Sequence, residues 1–187
     1  MITAEQRLKV QKILASNSLT RTELANYRDR ILNMIEVADP HRAELMRAFD
    51  NATPSDSYLV FMGFCPGADF SHRQDLRWRQ LGICEFEFDE SEIQIRRFAG
   101  ILVGDQIILK KREIIGKTMK LYGHGKVVGV DYTPEGRRFL RMDWAATDIV
   151  IKVPLMGCNS TVNLKKTSAV LKDMPSEFHA WLYGNFV

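Results

Sequence analysis

The stretch Ala99–Tyr132 does most to limit what this chain can become. Gly104-Asp105 reads as a turn and leads into Ile107-Ile108-Leu109, whose β-branched pair favours a strand. Lys110, Lys111 and Arg112 read as a basic linker that leaves the core and faces water. Lys126 to Tyr132 reads as the next strand, with Val128, Val130 and Tyr132 on one face by two-residue alternation. Gly123 and Gly125 bracket His124 at its start, which predicts a bulge or the close approach of another backbone.

The pattern before this stretch changes once. Thr3-x-x-Gln6 and Thr20-x-x-Glu23 both have the form of a capping box. The first predicts a short helix carrying Leu8, Ile13 and Leu14, broken at Ser16-Asn17-Ser18. The second predicts a helix over residues 21–38 with Leu24, Tyr27, Ile31, Met34 and Ile35 at helical spacing. A third helix is expected from Arg42 to Phe49, with Leu45, Met46 and Phe49 inward. Asn51 to Ser57, rich in turn-forming residues, is the linker. The expected division is therefore a helical segment, residues 1–55, and a second domain, residues 56–187.

After the linker the periodicity is that of strands. Tyr58–Met62 is a continuous apolar run, as in a strand buried on both faces. Ala68 to Gln80 reads as a polar loop or short helix. Phe86 and Phe88 alternate with acids, and Ile93 and Ile95 are expected to return as a hairpin partner. Leu140, Met142 and Trp144 alternate after the Thr133–Gly136 turn, followed by Ile149, Ile151 and Val153 and then Thr161–Leu164. Asp173-x-Pro175 starts a C-terminal helix with Phe178, Trp181 and Leu182 inward. Strands without regular helical crossovers argue for an α+β fold built on a small, mostly antiparallel barrel.

Composition excludes more than it identifies. A net charge of +3 gives no bulk argument for nucleic acid. Residues 57–166 do carry 17 Lys/Arg against 13 Asp/Glu, so a basic face is open beside the plainer reading of a solvated surface. Cys65, Cys84 and Cys158 are far apart and form no metal-binding spacing, so no metal or other cofactor is expected. Three sparse cysteines, no apolar secretion signal and no membrane-length apolar run point to a cytoplasmic protein without a membrane partner.

The order GILVGDQIILKK, YGHGKVVGV, RFLRMDW, VPLMGCNSTVNLKK resembles the PUA-like barrel superfamily, and in layout its EVE and YTH branches. The matching positions are Gly104-Asp105, Gly125–Val130 and Pro154 to Leu164, within residues 57–182. The chain lacks the usual opening motif of EVE proteins and adds the N-terminal helices. The resemblance implies a nucleic-acid-binding module, for DNA or RNA, that reads a modified or flipped base between aromatic rings.

Candidate residues follow from that implication. Trp78, between Arg77 and Arg79, reads either as a stacking platform or as a lid. Phe64, Tyr122, His124 and Trp144 complete the base-binding candidates, each with an alternative: Phe64 as a loop anchor, His124 as a structural histidine, Trp144 as core. Arg77, Arg79, Lys110, Lys111 and Arg112 are the phosphate-binding candidates. Two other classes stay open. One is a small hydrolase resembling the ASCH branch, which would need Lys126, Thr118 and Glu113 together. The other is a protein-interaction subunit or homodimer using the helices of residues 21–49. Binding, not turnover, is the expectation.

Overall fold

The computed structural model describes residues 2–66, 70–86 and 91–184. Among the described residues, seven helices and seven strands give the α+β class expected. The helices are α1 (Ala4–Ala15), α2 (Arg21–Asn33), α3 (Arg42–Asp50), α4 (Asp75–Leu81), α5 (Glu92–Ala99), α6 (Thr167–Asp173) and α7 (Ser176–Tyr183). The strands are β1 (Tyr58–Gly63), β2 (Ile83–Cys84), β3 (Gln106–Ile114), β4 (Thr118–Tyr132), β5 (Arg138–Trp144), β6 (Ile151–Pro154) and β7 (Val162–Lys166).

All seven strands lie in one sheet, in the order β2-β5-β4-β3-β1-β7, with β6 also on β4. Every pairing is antiparallel except β1 with β3. Both faces are covered, which is why β1 is apolar throughout. Val60 and Met62 join Ile107, Leu109, Val127, Leu140 and Val162 on one side, with Trp78 and Phe98 packed over them. Leu59, Phe61 and Ile108 face the other side, under Val170, Phe178 and Trp181.

The stretch that organises the sequence is a hairpin. The Lys110–Arg112 run is not a linker but the middle of β3, and β4 begins at Thr118 instead of Lys126. Register shifts hide this. Leu109 pairs with Gly123 and Lys110 with Leu121, so Tyr122 is an extra residue in β4, and a further shift lies between Arg112 and Ile114. Another lies between Val127 and Gly129. It places Val127 and Val130 in the core and leaves Val128 and Tyr132 exposed, which corrects the expected face.

The close approach predicted at the glycines is made mostly by side chains. A Cβ on Gly123 would lie 1.7 Å from the Arg79 guanidinium. On Gly125 it would lie 2.6 Å from the Trp144 ring and 2.8 Å from the Asp143 carbonyl oxygen.

Ile93 and Ile95 are not a hairpin partner. They lie on α5 and are exposed, while Gln94 and Phe98, four apart, point inward. Gln94 accepts the backbone N–H of Val162 at 2.7 Å, which explains a buried polar residue there. Phe88 lies outside the described residues. The expected C-terminal helix is α7, with Pro175 at its N-cap and Phe178, Trp181 and Leu182 buried; α6, which ends at Asp173 before it, was not expected.

Both capping boxes form. The first three helices enclose their own core of Val10, Leu14, Leu24, Ile35, Leu45 and Phe49, so Met46 does not point inward. α2 stops at Asn33, and Met34 and Val37 stay 71% and 86% exposed.

The segment is fastened to the sheet by polar groups. Arg21 Nη2 donates to Asp105 Oδ1 at 2.5 Å, and its guanidinium lies 4.1 Å from the Tyr58 ring centre. The Asn51 side chain bonds the backbone of Val130 in both directions, at 2.9 and 3.1 Å. Asp105 is thus more than a turn residue. It is fully buried and also accepts from the backbone N–H of Tyr58 and of Leu102. Burial pushes its carboxyl up, and Arg21 with these N–H donors pulls it back. No helix among the described residues is long and apolar enough to cross a membrane.

Candidate nucleic-acid interface

β1 ends at Gly63, opposite Lys110, whereas β3 runs on to Ile114. Past the end of β1 lies an open groove of about 640 Å³ between the free part of β3 and the segment that enters β7. Lys110, Lys111 and Arg112 line one wall, and Asn159, Ser160 and Thr161 the other. Glu113 also borders it, but its carboxylate is held by Lys152 at 2.7 Å and Lys120 at 3.1 Å. Those two ammonium groups hold its pKa down at about 2. Among the described residues, three cations thus border the groove beside one carboxylate that is held by other lysines.

The three cations differ in exposure. Arg112 is exposed and Lys111 half-buried. Lys110 is only 5% exposed, which corrects its expected place as a surface contact. Its Nζ donates to the carbonyl oxygens of Cys158 at 2.6 Å and Ser160 at 2.7 Å. Burial lowers its pKa to about 8.

Aromatic rings stand beside the cations. Lys111 Nζ sits 3.7 Å from the centre of the Phe70 ring. Phe70 packs edge-on to Tyr122 at 5.7 Å, and Tyr122 to Phe64 at 5.1 Å. Phe64 is fully buried and anchors the cluster, Tyr122 is half-buried, and Phe70 is 41% exposed. Arg73 lies over both phenylalanines and is oriented by a two-pronged pair with Asp75.

The other candidates are elsewhere. Trp78 is 1% exposed and packs over the sheet's core, so it is not a platform, and of its two readings the packing lid is the one that accords with its burial. Its neighbours mislead because α4 is a helix. Successive side chains there point about 100° apart, so Arg77 and Arg79 can leave the core while Trp78 enters it. Arg77 pairs with Glu85. Arg79 donates to the carbonyls of Tyr122 and Thr147, bracing the bulge of β4. Trp144 is half-buried, and its indole N–H is shared between the carbonyls of Trp78 and Ile83, each at 3.2 Å.

His124 faces a separate hollow of about 560 Å³ with Trp181 and Thr147. It is buried against Trp181, ring centres 4.6 Å apart, and Gln106 meets its Nδ1 at 3.0 Å. Burial lowers its pKa, which favours the neutral ring. Of the residues singled out in the sequence, Lys110, Lys111 and Arg112 line the groove, Tyr122 reaches its edge only through Phe70, and Ser160 and Thr161 were not singled out. Phe64 and Phe70 frame the Gly63–Gly67 turn in the sequence, and Phe64 is the buried one.

The alternative site does not assemble. Thr118 touches Glu113, with Oγ1 donating at 3.2 Å, but Lys126 is eight residues further along β4. At about 3.3 Å per residue that is too far to converge. Among the described residues no group of three or more His, Cys, Asp or Glu could hold a metal ion. No family model, curated protein or solved structure matches the chain.

Proposed function

We propose that the protein is a nucleic-acid-binding module that takes a single strand along the groove past β1. The observation that carries this is Lys111, which lines the open groove with Arg112 and sets its ammonium over the exposed ring of Phe70 beside it. Cations in register with an aromatic face are what a flexible strand needs: phosphates meet the cations and a base lies on the ring. Lys111 and Arg112 hold the backbone, Phe70 with Tyr122 behind it offers the stack, and Ser160 and Thr161 supply hydroxyls for sugar or base edges.

A PUA-like barrel as the scaffold accords with one further feature. A single apolar cluster takes residues from all six strands of the β2-to-β7 path, as the interior of a closed barrel would. In this reading Phe70 and Tyr122 take the role that the sequence suggested for Trp78, and a base turned out of its stack is the element recognised.

The test is fluorescence anisotropy of labelled single-stranded DNA and RNA across a salt series. Lys111→Ala and Arg112→Ala are expected to weaken binding of all sequences and to flatten the salt slope by about 0.7 each. Phe70→Ala is expected to cost about 1–3 kcal/mol, about five- to 150-fold. Unchanged salt slopes in the two cation variants would remove the groove from consideration.

A further inference from the structure

Lys110 is a buried ammonium facing two neutral carbonyls, and no carboxylate among the described residues lies within ion-pair distance. Desolvating a cation without a counter-charge is unfavourable, and two carbonyl acceptors offset only part of the loss. A methionine or leucine there would fill the space at lower cost if packing were the sole requirement. An ammonium also has three N–H bonds. Two are given to Cys158 and Ser160, which leaves one for the groove that Lys110 lines.

Arg112 lies two residues along β3 from Lys110, on the same face by alternation, and its charge is felt at Lys110. The opposite wall adds Ser160 and Thr161. A phosphodiester brings one negative charge and two unesterified oxygens. A phosphate monoester brings about two charges at neutral pH and three strong acceptor oxygens, a better match to two cations that have no ion-paired carboxylate among the described residues.

We propose that the groove receives a phosphate monoester, the terminal phosphate of a nucleic-acid strand, with buried Lys110 and exposed Arg112 as its cations. This rests on the groove being the strand-binding site, and it makes the protein a reader of strand ends. A bound dianion returns the missing counter-charge to Lys110 and raises its pKa from about 8.

Anisotropy is measured for one short single strand with hydroxyl ends, with a 5′-phosphate and with a 3′-phosphate. One phosphorylated form is expected to bind about tenfold or more tightly than the hydroxyl form. Lys110→Gln is expected to bring the two forms together, with a melting curve confirming the fold. Because that change also removes the tie to residues 158–160, wild-type protein is reductively methylated in parallel and the modified lysines are mapped. The phosphorylated strand is expected to slow methylation of Lys110 at least fivefold relative to the hydroxyl strand. Equal affinity of all three strands, with equal methylation of Lys110, overturns the end-reading proposal and leaves strand binding intact. If no strand binds but inorganic phosphate or a mononucleotide protects Lys110, the phosphate receptor stands and strand binding falls. If no strand binds and neither inorganic phosphate nor the mononucleotide protects Lys110, both readings fall.

Discussion

Asp105→Ala is the perturbation whose effect can be worked most completely from the structure. The carboxylate is fully buried and has three partners: Arg21 Nη2 at 2.5 Å, the Tyr58 N–H at 2.9 Å and the Leu102 N–H at 2.8 Å. Alanine leaves all three without an acceptor. Each stranded backbone N–H costs about 1–3 kcal/mol if water cannot reach it. Removing one member of a buried ion pair costs about 3–5 kcal/mol in all, mainly because the other charge remains.

For a chain of this length, each kcal/mol lowers the melting temperature by about 2–4 °C, so the expected fall is about 6–20 °C. Urea denaturation followed by tryptophan fluorescence and far-UV circular dichroism measures it. Native-state hydrogen exchange locates it, because amides in α1–α3 should lose protection before those of the sheet. A double variant, Arg21→Met with Asp105→Leu, removes both charges and is expected to recover most of the stability. A loss below about 1 kcal/mol for Asp105→Ala, or uniform loss of protection, would refute the claim that this pair fastens the helices to the sheet.

Gly123→Ala is expected to destabilise by about 1–3 kcal/mol, because the new methyl occupies the space of the Arg79 guanidinium; Arg79→Ala in the same chain should relieve much of that, as urea titration of the three variants will show. Glu113, held at about 2 by Lys152 and Lys120, contributes stability that is fully present above its ordinary value of 4.5 and is lost as pH falls from there toward 2. Carbon-detected NMR titration of its carboxyl group, with Lys152→Met raising the midpoint, checks the sign and the partner.

The parts of the fold that were legible in the sequence are those where one local rule acts alone. The two capping boxes, the doubly buried strand β1 and the inward triad Phe178, Trp181, Leu182 all needed only spacing and residue type. Elsewhere two rules compete. Ile93 and Ile95 alternate like a strand, but the helix buries Gln94 and Phe98 between them in space, and a glutamine carries no apolar signal. The N-terminal half of β4 was hidden because a strand with an extra residue at Tyr122 loses its two-residue period. Trp78 was misread because flanking charges exclude burial in a strand or loop but not in a helix. Lys110 shows the same limit from the other side: residue type indicates water, and only tertiary placement beyond the end of β1 takes it inward. The groove joins residues near positions 65, 110 and 160, and no local pattern announces such a meeting.

The single parallel pairing, β1 with β3, has a kinetic consequence. The β3–β4 hairpin closes over only a few residues and supplies many contacts at small sequence separation. β1 must instead find β3 across the whole of residues 64–105, and β7 across residues 64–161. Loop-closure entropy opposes both until the hairpin exists as a template. The hairpin should therefore carry high φ-values and the insertion of β1 low ones, measurable with Leu121→Ala and Val60→Ala respectively. Until β1 and the segment entering β7 arrive, the groove past Gly63 has only its β3 wall, so it is completed late in folding.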